Sequence, residues 1–117
     1  MLFSIENTMS QKITIPIASD HAGVLLKSHL IKEFSDLVEF QDLGPSEAER
    51  VDYPDFAQKV ASLISNGDFP RGILICGSGI GMSMVANKFK GVRAALCENP
   101  LSARLSREHN DSNILCL

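Results

Sequence analysis

The chain has 117 residues with a formal net charge of −3, enough for one domain with a single core and too little for two. No Lys/Arg cluster exceeds a pair, which argues against a nucleic-acid partner, and no apolar run reaches the length needed to span a bilayer. The three cysteines, Cys76, Cys97 and Cys116, are odd in number, widely spaced and each at the end of an apolar run, so neither a disulfide framework nor a zinc site is indicated and a reducing cytoplasm fits.

Met1 to Gln11 lacks a basic n-region and is expected to be a disordered leader rather than a signal or transit peptide. Lys12 to Ile17 is short and rich in β-branched residues, which predicts a strand. After Gly23, Leu26, Leu30, Phe34 and Leu37 recur at spacings of four, four and three and predict a helix with those residues on its buried stripe. Leu37 to Gln41 reads as the second strand and Gly44-Pro45 opens a polar loop. Beyond Pro54, Ala57, Val60, Ala61 and Ile64 share a helical face, and Asn66-Gly67 supplies a C-cap. Gly72 to Cys76 is a continuous apolar strand. Met82, Val85, Ala86 and Phe89 repeat the helical stripe until Gly91, and Val92 to Cys97 forms a fourth strand. Leu101 to Glu108 is a fourth helix and Asn113 to Leu117 a fifth strand.

Strands alternating with helices at this spacing predict an α/β fold: a single-domain, doubly wound, Rossmann-like parallel sheet of five strands with helices on both faces, occupying residues 12–117. In such sheets the ligand site lies beyond the carboxyl ends of the strands at a topological switch point. Three strand ends therefore matter: Ser19-Asp20-His21, Cys76-Gly77-Ser78 and Cys97-Glu98-Asn99.

Cys76 is followed at once by Gly77-Ser-Gly-Ile-Gly81 and then by a helix pattern. A turn with unpaired N–H groups at a helix start attracts anions and favours the thiolate form of a neighbouring thiol. The bland alternatives are a tight βα turn and an inert core cysteine. A dinucleotide fingerprint, with Glu98 about twenty residues on, would need glycine at Met82. A Cys-x5-Arg phosphatase loop would need arginine at that same position. Asp20 and His21, each unremarkable alone as an N-cap and a first-turn residue, together place an acid beside an imidazole at a strand end, where they can exchange protons or hold an anion. His29 lies among polar neighbours and reads as exposed. His109 reads as a helix C-terminal cation, and its place before the fifth strand does not by itself bring it to this site.

Ser19-Asp-His-Ala-Gly23, Asp52-Tyr-Pro54, Ile73-Leu-Ile-Cys-Gly-Ser-Gly-Ile-Gly81, Ala86-Asn-Lys88 and Leu105-Ser-Arg-Glu-His-Asn-Asp111 together resemble, in order and spacing, the type B ribose-5-phosphate isomerases and the related galactose-6-phosphate isomerase subunits. The resemblance runs from Ile13 to Leu117. It implies interconversion of ribose 5-phosphate and ribulose 5-phosphate through an enediolate, in the non-oxidative pentose phosphate pathway, without metal or organic cofactor. Alternatives are a six-carbon sugar-phosphate isomerase or a non-catalytic member of the fold. The resemblance further implies that Cys76 is the proton-transfer base and that the N–H groups of Gly77, Ser78, Gly79, Ile80 and Gly81, with the Ser78 hydroxyl, hold the developing oxyanion. Asp20 and His109 would assist ring opening, His21 would contact phosphate, and Tyr53 and Asn110 would line the pocket. It also implies a homodimer or dimer of dimers with sites shared between subunits. The family pattern continues past the segment matching Asn113 to Leu117 with a Gly-x-Arg turn and more helix. The family's phosphate-binding arginines are therefore expected beyond the matched stretch, and Arg104 and Arg107 match other positions.

Overall fold

The structure is a computed structural model that describes residues 12–117. The leader expected over residues 1–11 lies outside the described residues. In chain order the elements are β1 (Ile13–Ser19), a single 3₁₀ turn (His21–Gly23), α1 (Val24–Glu33), β2 (Val38–Asp42), α2 (Tyr53–Ser65), β3 (Gly72–Ile75), α3 (Ile80–Ala86), β4 (Ala94–Leu96), α4 (Pro100–Asn110) and β5 (Ile114–Cys116). All strand pairings are parallel, and the sheet order is β2-β1-β3-β5-β4.

That order dictates the layers. Right-handed crossovers that run in opposite directions along a sheet put their helices on opposite faces. The steps β2 to β3 and β3 to β4 run one way, so α2 and α3 share a face and pack against each other. The steps β1 to β2 and β4 to β5 run the other way and put α1 and α4 on the opposite face. The chain leaves β1 and β3 in opposite directions, so the switch point lies between their carboxyl ends.

Under α2 and α3 the core is dense. Ala57, Val60, Ala61 and Ile64 of α2 are buried with Met82 and Ala86 of α3 against Ala18, Leu74, Ile114 and Cys116 of the sheet. The stripe expected on α2 is the one observed, and Asn66 and Gly67, the latter at φ +80°, close the helix as expected. Gly72 lets Val60 lie against the start of β3: a Cβ there would stand 2.5 Å from Val60 Cγ1.

The stripe expected on the first helix requires correction. α1 stops at Glu33, where Phe34 caps it, and a turn leads through Leu37 into β2. Leu26 and Phe34 are 41% and 43% exposed, and the buried residues of α1 are Val24 and Lys27. The periodicity was real, but this face of the sheet is only partly covered. Beside α4 an apolar groove of about 200 Å³ remains open over Ile15, Ile73 and Leu115.

Lys27 is 1% exposed and reaches Asp42, at the end of β2, with its Nζ 2.6 Å from Oδ1. The same oxygen accepts the Gly44 N–H at 2.9 Å, and the Gly44 carbonyl accepts the Ser19 N–H at 3.0 Å. A buried ammonium needs a paired anion, and here the pair also fixes the start of the loop that leads to α2. Asp42 is 43% exposed, so water can serve it if its partner is removed. Lys27→Met is expected to lower unfolding free energy by about 1–3 kcal/mol, below the cost of breaking a fully buried pair. Urea denaturation of the two chains checks this, and an unchanged midpoint would show that the pair contributes no net stability.

Candidate active site

At the switch point the carboxyl ends of β1 and β3 open into a cleft of about 510 Å³ lined by Asp20, Tyr53, Cys76, Gly77, Ser78, Ile80, Gly81 and Met84. Each is there for a local reason. Asp20 follows β1, its N–H donating to the Ile75 carbonyl at 3.0 Å, and its Oδ1 accepts the Gly23 N–H at 3.1 Å to cap the 3₁₀ turn. The N-cap role read from the sequence is thus present. The other carboxylate oxygen has no protein partner among the described residues, and the residue lines the cleft as well.

Cys76 follows β3 and is half-buried, its N–H donating to the Leu117 carbonyl at 3.0 Å. Gly79 turns back in the left-handed region, at φ +80°, and its N–H donates to Cys76 Sγ at 3.1 Å. A thiolate accepts such a bond more strongly than a thiol. The Ile80 N–H donates to Ser78 Oγ at 3.2 Å. Two of the five N–H groups expected to face an oxyanion, those of Gly79 and Ile80, are therefore already engaged. Those of Gly77, Ser78 and Gly81 have no protein partner among the described residues. Tyr53, the first residue of α2, lays its ring against Gly81; a Cβ there would stand 2.5 Å from Tyr53 Cε1.

His21 sits on the 3₁₀ turn next to Asp20, and its Nδ1 meets the backbone of Val51. His29 is exposed, as expected. His109 and Asn110 are placed elsewhere in this chain. α4 starts at the carboxyl end of β4 and runs back, so its last turn lies at the amino end of the sheet, where the Asn110 carbonyl accepts Arg93 Nε–H at 2.7 Å. The structure brings nine of the eleven predicted site residues to the switch-point end and leaves these two at the other. Sequence reasoning missed Met84, an exposed apolar residue one turn beyond Ile80 that walls the cleft but falls outside the Met82, Val85, Ala86 stripe. It also missed Val51, which acts through its backbone and gives no side-chain signal.

Cys116 provides a contrast to Cys76. Strand β5 buries it completely, and burial first, with the neighbouring Cys76 and Cys97 thiols adding to it, pushes its pKa from 9.0 to about 12.

Fold and site define a doubly wound α/β domain with a half-buried thiol and unpaired N–H donors facing one cleft at the switch point. Residues 15–117 match the Ribose/Galactose Isomerase family model, and the chain belongs to that family. It is 46% identical over 102 residues to ribose-5-phosphate isomerase B of Escherichia coli, an alignment covering 86% of this chain and 68% of that protein. The ribose-5-phosphate isomerase B structure from Clostridium thermocellum superposes with a TM-score of 0.86 at 49% identity, over 90% of this chain and 72% of that one. The Mycoplasma genitalium enzyme, solved with bound ribulose-5-phosphate, gives 0.84 at 46% identity, over 93% and 72%.

Because the thiolate is the nucleophile, exposure and thiolate character together set the rate of thiol alkylation. Iodoacetamide applied to the folded chain near neutral pH is expected to label Cys76 at least tenfold faster than Cys116. Peptide mass spectrometry over time checks this, and equal rates would contradict the assigned environments.

Proposed function

We propose that this chain is an aldose-ketose isomerase that interconverts ribose 5-phosphate and ribulose 5-phosphate through an enediolate. The observation that carries the reading is Cys76 Sγ at the cleft, held by the Gly79 N–H and followed by donors with no protein partner among the described residues. Family membership and the ribulose-5-phosphate held by the M. genitalium relative support the substrate.

With the open-chain aldose bound, the Cys76 thiolate takes the proton from C2. The C–H electrons form the C1–C2 double bond, and the carbonyl π electrons move onto O1. The N–H groups of Gly77, Ser78 and Gly81 and the Ser78 hydroxyl stabilise that negative oxygen, already oriented before charge appears. The Cys76 thiol then returns its proton to C1, while the hydrogen on O2 is transferred to O1 as the ketone forms at C2. One general base serving both carbons suits a sulfur that exchanges its proton readily.

Before this step the sugar ring must open. Asp20 is the proposed group on this chain, because the carboxylate oxygen not used in capping is available to a sugar hydroxyl. His21 contacts the phosphate, and Tyr53 and Gly81 shape the wall beside the sugar. His109 and Asn110, at the far end of their own sheet, are proposed to serve the cleft of a second copy in a homodimer or a dimer of dimers. The exposure of α4, which has no fully buried residue, leaves them accessible to such a partner. The cytoplasm and the non-oxidative pentose phosphate pathway are the proposed setting. Three unpaired cysteines accord with a reducing compartment.

Replacing Cys76 with Ala is expected to lower kcat by about 10²–10⁴-fold, the usual range for a general base, with ligand affinity changed less than about threefold. Steady-state kinetics paired with calorimetric titration measures both, and an undiminished kcat would remove Cys76 from the mechanism. The family description also embraces galactose, so a six-carbon substrate is the second reading. Side-by-side turnover of ribose 5-phosphate and a six-carbon aldose phosphate is expected to favour ribose 5-phosphate; the opposite preference would replace the proposed substrate.

A further inference from the structure

One ring nitrogen of His21 faces both polar atoms of a single backbone residue. Nδ1 lies 3.2 Å from the Val51 nitrogen and 3.3 Å from the Val51 oxygen. A given nitrogen of an imidazole is an acceptor or a donor, never both, so the two contacts belong to different protonation forms of the ring. With Nδ1 bare, the Val51 N–H donates to it and the ring hydrogen sits on Nε2. With Nδ1 protonated, Nδ1–H donates to the Val51 carbonyl. In the neutral ring the choice turns on which Val51 group is left without a partner. Among the described residues His21 is the only acceptor for the Val51 N–H, and an orphaned amide hydrogen is rarer than an under-used carbonyl. Neutral His21 therefore carries its hydrogen on Nε2, which has no protein partner among the described residues.

We propose that the backbone of Val51 fixes His21 in the Nε2–H tautomer and accepts its second proton without turning the ring. His21 then presents the same Nε2–H donor to an anion in both charge states. This rests on the reading of His21 as the phosphate contact. It makes Val51 a positioning residue, since it acts only through His21. Binding strength changes with the charge on the ring, but the direction of the donor does not. The charged residues nearest in sequence are Asp20, whose Oδ1 is occupied by the Gly23 N–H, and Arg50 and Asp52, which flank Val51. Among the described residues no ion pair involves His21.

Long-range ¹H–¹⁵N correlation spectra of the uniformly labelled chain read the tautomer directly and do not require activity. Three histidines are present, and the exposed His29 serves as an internal reference; His21→Gln assigns the His21 signals. In its neutral form the His21 ring is expected to show a bare Nδ1 and a protonated Nε2, with the other tautomer below about one tenth. A dominant Nδ1–H form, or a mixture matching that of His29, would overturn the proposal. Val51→Pro removes the N–H and keeps the carbonyl, and it should move His21 toward the Nδ1–H form. Should that variant fail to fold, the spectrum of the unaltered chain decides alone. Addition of ribose 5-phosphate is then expected to shift the His21 Nε2–H signal. If the tautomer is as stated and this signal stays fixed under saturating ligand, the phosphate role of His21 fails while the Val51 lock stands.

Discussion

Gly79 is the point on which the carboxyl edge of the sheet depends. Its φ of +80° turns the chain out of β3 and into α3, and its carbonyl accepts the Ser83 N–H to start the helix. Its N–H meanwhile holds the Cys76 sulfur. A side chain has no room there, because a Cβ would lie 2.5 Å from Leu96 Cδ1 and 2.9 Å from the Leu117 carbonyl carbon. Two separate demands, a left-handed backbone and close approach of another strand end, fall on one residue, and only glycine meets both. Glycine here makes the turn and holds the Cys76 sulfur through the same residue. A tight βα turn and a backbone donor on the Cys76 sulfur are thus compatible demands.

The other side of the cleft is held by polar groups. Lys27 reaches out from beneath α1 to Asp42, Asp42 holds Gly44, and Gly44 holds Ser19, the residue before Asp20. At the far end of the same loop Val51 meets His21. The loop between β2 and α2 is thus tied to the β1 end at both of its own ends, through contacts that are nearly all backbone on one side. Apolar packing under α2 and α3 fixes where β1 and β3 lie, and these directed bonds then set how Asp20 and His21 are presented.

Much of this was legible in the sequence where burial follows a period. The α2 stripe, the apolar β3 and the Gly-rich turn identify themselves, because each buries apolar atoms or needs glycine for a reason visible in the local pattern. The leucines of α1 misled because periodicity reports an apolar face without saying whether anything covers it. Lys27 was hidden for the converse reason: a lysine reads as solvent-exposed, and its burial depends on Asp42, fifteen residues on and in another element. The Val51 contact had no local signature either. His109 and Asn110 were singled out by resemblance alone, and the path of α4 shows why local reasoning did not place them.

That path bears on what one chain can do. In a parallel α/β sheet every crossover helix runs opposite to the strands, so the last turn of any such helix lies at the end away from the site. A residue there reaches a switch-point cleft only on another molecule, whatever its chemistry. Asp20 and Cys76 obey the complementary rule: both directly follow strands, and the topology brings them together within one chain. The three cysteines show the same dependence on position. Cys116 lies within β5, between β3 and β4, and is buried and held as a thiol, with a pKa raised to about 12. Cys76 lies one residue past the end of its strand, half-buried at the mouth of the cleft, with a backbone donor on its sulfur. A shift of one residue along a strand thus separates a packing thiol from one that faces the cleft.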